Sequence, residues 1–184
     1  MMRKKPMLAY PVSSKPIDYT NKISMQPKLD GVRCVIQYEG KSSVDPRVVA
    51  YSRTGKQWKN IEHICMQLRP FFAKYPDVIL DGELYNHDFK DDFEQIISIV
   101  RRQKPDDIDM LNSREMVQFH CYDAIDELVK FNNRHLWLTK FVPESYCVKH
   151  VKTQAVPTES LSKVVHQQNL DAGYEGSILR LNTE

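Results

Sequence analysis

The sequence predicts a strand-rich α+β domain, and three observations carry that expectation. The β-branched stretches 32–38 and 47–52 read as strands, apolar residues recur at helical spacing between Ile61 and Phe72, and strand-like and helix-like segments then alternate to Leu181 without an internal repeat. Neither a dinucleotide-binding glycine turn nor a Walker phosphate loop occurs among them.

Val32 to Tyr38 and Arg47 to Ser52 make a predicted hairpin around the loop Gly40-Lys41-Ser42-Ser43. Ile61, Ile64, Cys65, Leu68, Phe71 and Phe72 form one apolar helix face, and Pro76 ends that segment before the apolar run Val78-Ile79-Leu80. Phe93, Ile96, Ile97 and Val100 give a second amphipathic helix. The polar, acidic stretch Gln103 to Arg114, broken by Pro105, is expected to be a surface loop leading into a strand from Val117 to Ile125. Alternation puts Val117, Phe119 and Cys121 on one side of that strand and Gln118, His120 and Tyr122 on the polar side, so Tyr122 should face a cavity. A third helix runs from Asn132 or Asn133 to about Lys140. The last helix is capped by Thr158, carries Leu161, Val164 and Val165 on one stripe, and ends near Gly173 before a strand from Glu175 to Leu181.

At 184 residues, 41% hydrophobic and 27% charged, the chain fits one ordinary domain with a sizeable core. A net charge of +2 announces no polyanion partner, so nucleic-acid contact must rest on local clusters such as Arg3-Lys4-Lys5 and Arg101-Arg102-Gln103-Lys104. Cys34, Cys65, Cys121 and Cys147 are scattered without a C-x-x-C pair, and no signal-like apolar stretch follows the basic start, which points to a reducing cytoplasm. The six histidines show no zinc spacing, and no apolar run is long enough to span a bilayer.

The chemistry-bearing residues start at Lys28-Leu29-Asp30-Gly31-Val32-Arg33, where an amine nucleophile stands beside a carboxylate, a glycine and a guanidinium. An amine attacks phosphorus only when neutral, and with an ordinary pKa near 10.4 roughly one lysine in a few thousand is neutral at pH 7. Burial and a nearby divalent cation favour the neutral amine, whereas a carboxylate alone opposes it, so a metal is expected close by. Ser52-Arg53-Thr54-Gly55 follows the second predicted strand. Asp81-Gly82-Glu83-Leu84-Tyr85 follows the buried run, with Glu83 expected at a strand end. Phe119-His120-Cys121-Tyr122-Asp123 and Glu175-Gly176-Ser177-Ile178-Leu179-Arg180 complete the series. Each segment alone is ordinary turn or strand chemistry; their order is what carries meaning.

In that order, from Lys28 to Glu175, the five segments resemble those of covalent nucleotidyltransferases, and in particular of ATP-dependent DNA ligases; the stretch from Asp81 to Lys104, with its Asn-His-Asp loop, is similar to compact bacteriophage and viral enzymes. The resemblance implies an ATP-grasp-like nucleotidyltransferase domain, with antiparallel sheets flanked by helices, over residues 1–184. It implies Lys28 as the nucleophile that takes AMP from ATP and Asp30 as a helper at the nick and metal. Arg33 and Arg53 become phosphate or ribose contacts, Glu83 a ribose and metal ligand, and Tyr122 the ring that stacks on adenine. Glu175 becomes the ligand of Mg²⁺ or Mn²⁺, and Gln26 is placed to touch the base edge. The expected partners are ATP and nicked double-stranded DNA, with the protein a monomer and no membrane involved. The family's last lysine motif and its C-terminal oligonucleotide-binding barrel are not found before Glu184. Slow nick sealing by this chain alone is therefore expected. The alternatives are an ATP-dependent RNA ligase, a capping guanylyltransferase, disfavoured because Glu175 stands where capping enzymes tend to carry Asp, and a non-catalytic nucleotide- or DNA-binding remnant. NAD⁺-dependent ligation is disfavoured by the short region ahead of Lys28.

Overall fold

A computed structural model describes residues 1–12, 16–40 and 47–182; of the predicted hairpin loop, Lys41, Ser42 and Ser43 lie outside them. In chain order the strands are β1 (Ser24–Lys28), β2 (Val32–Tyr38), β3 (Val48–Tyr51), β4 (Gln57–Trp58), β5 (Ile79–Tyr85), β6 (Gln118–Ala124), β7 (Val148–His150), β8 (Gln154–Ala155) and β9 (Gly176–Arg180). The helices are α1 (Glu62–Lys74), α2 (Phe93–Val100), α3 (Asp107–Met116), α4 (Phe131–Phe141) and α5 (Glu159–Asp171). A larger sheet has the order β4-β3-β2-β5-β6-β7, and a smaller one the order β8-β1-β9. All pairs are antiparallel except β6 with β7. The fold is α+β, as the sequence predicts.

Alternation along the strands decides which face does what. Cys34, Ile36, Leu80, Leu84, Phe119 and Cys121 pack against Ile64, Leu68 and Phe72 of α1 and Leu138 of α4, which makes the main core. The opposite face of the same strands carries Arg33, Asp81 and Glu83, and it meets the smaller sheet, from which Gln26 donates to the Tyr122 carbonyl. A second core of Ile23, Met25, Val156 and Val165 seats α5 on that smaller sheet. Gly82 is fixed by packing: a Cβ there would lie 2.4 Å from the His120 carbonyl oxygen and 2.5 Å from the Phe119 ring. Only glycine lets the ring lie flat on β5.

The short strands β4, β7 and β8 are not foreseen in the sequence reading, and four further elements differ from it. Ser24–Lys28 is a strand, which its proline and polar residues concealed. Glu83 does not sit at a strand end: β5 runs on to Tyr85 and leaves it in mid-strand. The expected loop from Gln103 to Arg114 holds α3, because Asp106 accepts from the Asp109 amide and Asp109 returns the bond, capping the helix just after Pro105. Val164 is exposed while Val165 is buried, so the stripe of α5 is narrower than its apolar residues imply.

Candidate active site

Lys28 closes β1 in the smaller sheet and Val32 opens β2 in the larger one, so Leu29-Asp30-Gly31 is the crossing between the sheets. Gly31 permits the crossing, since a Cβ would stand 2.4 Å from Glu83 Cγ and 2.6 Å from the Leu84 carbonyl oxygen. Lys28 pairs across the ladder with Gly176, and the Glu175 amide donates to the Lys28 carbonyl at 3.1 Å. That register sets the Lys28 ammonium in an ion pair with Glu175, their side chains 42% and 46% exposed. Asp30 beside them is exposed to solvent.

On the larger sheet Arg33, Glu83 and His120 form one cross-strand row. Arg33 forks onto Asp81 at 2.7 and 2.5 Å, and a third bond runs to the Met7 carbonyl at 3.0 Å. Burial works against the Arg33 charge, yet the Asp81 pair more than offsets it and holds the guanidinium above its ordinary pKa. Burial pushes the Glu83 carboxyl up to about 8 against the pull of Arg33, and the charge of Lys28 also reaches it. Glu83 is thus mostly neutral near pH 7, and the Tyr122 hydroxyl donates to it at 3.4 Å. Burial, then Lys149 and His87, press His120 down to about 4, so its imidazole is neutral too.

Tyr122 reaches this row through a β-bulge. Gly82 pairs with Cys121 and Asp81 with Asp123, which leaves Tyr122 as the extra residue of β6. The cavity expected at Tyr122 is filled: its residue is 9% exposed, and the guanidiniums of Arg33 and Arg180 lie 5.1 and 5.0 Å from its ring centre. Gln26 is 1% exposed and fully engaged, donating to the Tyr122 carbonyl at 3.1 Å and to Thr153 at 2.8 Å while accepting from Arg180 at 2.7 Å. Its amide supports the wall behind Tyr122 rather than an open base edge.

Arg53 is exposed in the β3–β4 turn, where Gly55 takes a φ of +84°, two residues beyond the Tyr51–Val35 pair, and among the described residues no hydrogen bond or ion pair is found between it and the other site residues. Three charged residues belong to the group that sequence reasoning left out as site residues. Asp123 accepts a fork from Arg134 at 2.9 and 3.0 Å, with Arg180 at 4.0 Å, and Asp81 anchors Arg33. Asp81, Asp123 and Arg180 all stand inside the motif segments, at strand positions where a charge must find a buried partner. That was the available signal.

The donor set can be tested against a cation. Among the described residues no group of three or more His, Cys, Asp or Glu side chains is gathered. Mg²⁺ takes one or two carboxylates and completes its shell with water and substrate phosphates, so oxygen donors from Glu175 and Glu83 fit an ion shared with a triphosphate. Surface cavities between α1 and α3 and beside α4 are lined by none of the reacting groups.

The family description ATP dependent DNA ligase domain fits residues 6–183. A Lig E DNA ligase superposes with a TM-score of 0.73 at 18% identity, over 100% of this chain and 64% of that one. The adenylated Chlorella virus DNA ligase gives 0.63 at 19%, over 96% and 59%. An archaeal ATP-dependent RNA ligase gives 0.64 at 16%, over 100% and 46%. At such identities these likenesses speak to the fold alone. The chain spans 46–64% of the length of these three ligases. No curated protein matches it closely in sequence.

Proposed function

We propose, for a chain that belongs to the ATP-dependent DNA ligase domain family, that the seam between the two sheets takes AMP from ATP onto Lys28. The observation that carries this reading is the half-exposed Lys28–Glu175 pair at the sheet crossing, set beside the half-buried Arg33 and Glu83 and the buried Tyr122. An amine held at a chain crossing, with acids and a flat ring converging on it, suits attack on a bound mononucleotide.

Lys28 leaves Glu175, gives up a proton to solvent and attacks the α-phosphorus through Nζ. The N–P bond forms as the P–O bond to pyrophosphate breaks, and pyrophosphate departs with the electron pair. AMP then passes to the 5′-phosphate at a nick, and the adjoining 3′-hydroxyl attacks that phosphate and releases AMP. Asp30, exposed beside Lys28, faces the acceptor side. Arg33 supplies fixed positive charge, because Asp81 and the Met7 carbonyl hold its guanidinium in place before any ligand arrives. Glu83, neutral at pH 7, can donate to or accept from a ribose hydroxyl. Adenine stacking on Tyr122 must displace one of the two guanidiniums from that ring. A divalent cation, when bound, would be held by Glu175, and by Glu83 once its carboxyl gives up its proton, and would neutralise the triphosphate.

Incubation with ATP and Mg²⁺ should add the mass of one AMP to the chain, and Lys28→Ala should abolish transfer from α-labelled ATP. A Lys28→Ala protein that still becomes labelled would sink the assignment. A second reading is an RNA acceptor, since the fold is common to an archaeal ATP-dependent RNA ligase and to DNA ligases. Matched nicked DNA and RNA duplexes offered to the adenylated protein separate the two.

A further inference from the structure

We propose that His87 and Tyr174 form a latch between the two sheets that positions Glu175, and through it Lys28; the inference rests on the reading of Lys28 as the nucleophile. His87 follows β5 of the larger sheet, in the short 3-10 turn His87–Phe89, and Tyr174 lies one residue before Glu175 on the way into β9 of the smaller sheet. Their rings are 4.5 Å apart at 30°.

Each half of the latch is anchored in its own sheet. The Tyr85 hydroxyl and His87 Nδ1 share a hydrogen bond of 2.6 Å, and Tyr85, only 2% exposed, sets its ring edge against His120 at 5.2 Å. His120 belongs to the row that carries Glu83, so the His87 ring is built from the wall of the site. On the other side Gly173 ends α5 with a φ of +87°, and the Tyr174 amide bonds the Asn169 carbonyl at 3.0 Å. The Lys90 side chain packs where a Gly173 Cβ would stand, 3.0 Å from its Cδ and Cε. The segment entering Glu175 is therefore held at Tyr174, while the Glu175 side chain makes an ion pair with Lys28.

The two ends of the seam differ in how they are joined. At the ring end, the buried hydrogen bond from Gln26 to the Tyr122 carbonyl and the Arg180–Asp123 ion pair at 4.0 Å tie the sheets. At the Lys28 end the half-buried His87–Tyr174 stack does so. Loosening it leaves the Tyr122 end and the Glu175–Lys28 backbone bond intact but frees the Glu175 side chain to turn away from the Lys28 ammonium. ATP affinity should then hold while the transfer step slows.

Tyr174→Ala and His87→Ala are the test, with Tyr174→Phe as the conservative variant. AMP incorporation at saturating ATP should fall roughly tenfold to a hundredfold in the alanine variants, the range expected for a small misplacement of reacting groups. ATP affinity should change by less than about twofold, and Tyr174→Phe should keep the parent rate, because the stack needs a ring and not the hydroxyl. A second measurement needs no nucleotide: modification of Lys28 by an amine-acylating reagent, read by mass spectrometry. Tyr174→Ala should speed it severalfold, as Glu175→Gln does, because both free the amine from its partner. Unchanged acylation of Lys28 in Tyr174→Ala overturns the latch, as does incorporation at the parent rate. A parent chain that takes up no AMP refutes the transfer reading instead, and the acylation result then decides the latch by itself.

Discussion

Between its ordinary pKa of 4.5 and about 8, the Glu83 carboxyl keeps in the folded chain a proton that it has lost in the unfolded one. Over that window the unfolded state binds fewer protons than the native state, so stability falls as pH rises. The cause is burial first, with Arg33 opposing it and Asp81 adding to it. Glu83→Gln keeps the size and the acceptor for the Tyr122 hydroxyl but has no proton to lose. Its melting temperature should match the parent near pH 4.5 and exceed it increasingly toward pH 8, by up to a few kcal/mol in stability. Melts across that range check this, and parallel curves for the two proteins would mean that Glu83 is ionised in the fold. Arg33 and Asp81 show the converse arrangement. Their fork keeps two charges inside the protein, and removing either partner strands the other, at a cost of about 3–5 kcal/mol.

At the scale of elements, β5 is where packing leaves least freedom. The Phe119 ring and the His120 carbonyl close on Gly82, so Gly82→Ala must move β6 or tilt the ring. We expect a loss of about 3 kcal/mol or more by chemical denaturation, against about 1 kcal/mol for Asp106→Ala, which removes only the side-chain cap of α3. Equal losses would show that β6 yields easily. The same elements mark what the sequence could reveal. Strands β2 and β3 and helices α1 and α2 were legible because each buries one periodic face in the main core. Helix α3 was not, since Ile108, Met110 and Leu111 are exposed and its amphipathic pattern is faint; the Asp106–Asp109 capping pair was its only clear sign. Strand β1 hides behind Pro27 and its polar neighbours, because it buries residues by pairing with β8 and β9, which lie far along the chain. The bulge at Tyr122 depends on the register with β5, and no local pattern encodes it. The motifs singled out Lys28, Glu83, Tyr122 and Glu175, but they could not say that Arg180 covers the Tyr122 ring.

At the scale of the whole molecule, the site is a seam between two sheets with separate cores, and a ligand held by both must stabilise the assembly. The N-terminal segment contributes as well: Arg3 bonds the Pro76 and Val78 carbonyls, Lys4 pairs with Glu127, and Met7 meets Arg33, so the chain's first residues brace the larger sheet beside the site. ATP at about 100 times its dissociation constant should add roughly 2.7 kcal/mol. For a chain of 184 residues that is a rise in melting temperature of roughly 5–10 °C. The covalent step gives this shift a memory. Once AMP is bonded to Lys28, removal of free nucleotide and Mg²⁺ by gel filtration cannot reverse the reaction, because pyrophosphate has gone. The parent chain should therefore keep most of its gain after filtration, whereas Lys28→Ala should show a gain only while ATP is present. Pyrophosphate added back with Mg²⁺ should lift the AMP off Lys28 as ATP, and a second filtration that removes this ATP should return the parent to its starting melting temperature. If both proteins lose the gain equally on filtration, the seam binds the nucleotide without bonding to it, and the chain is a binder rather than a transferase.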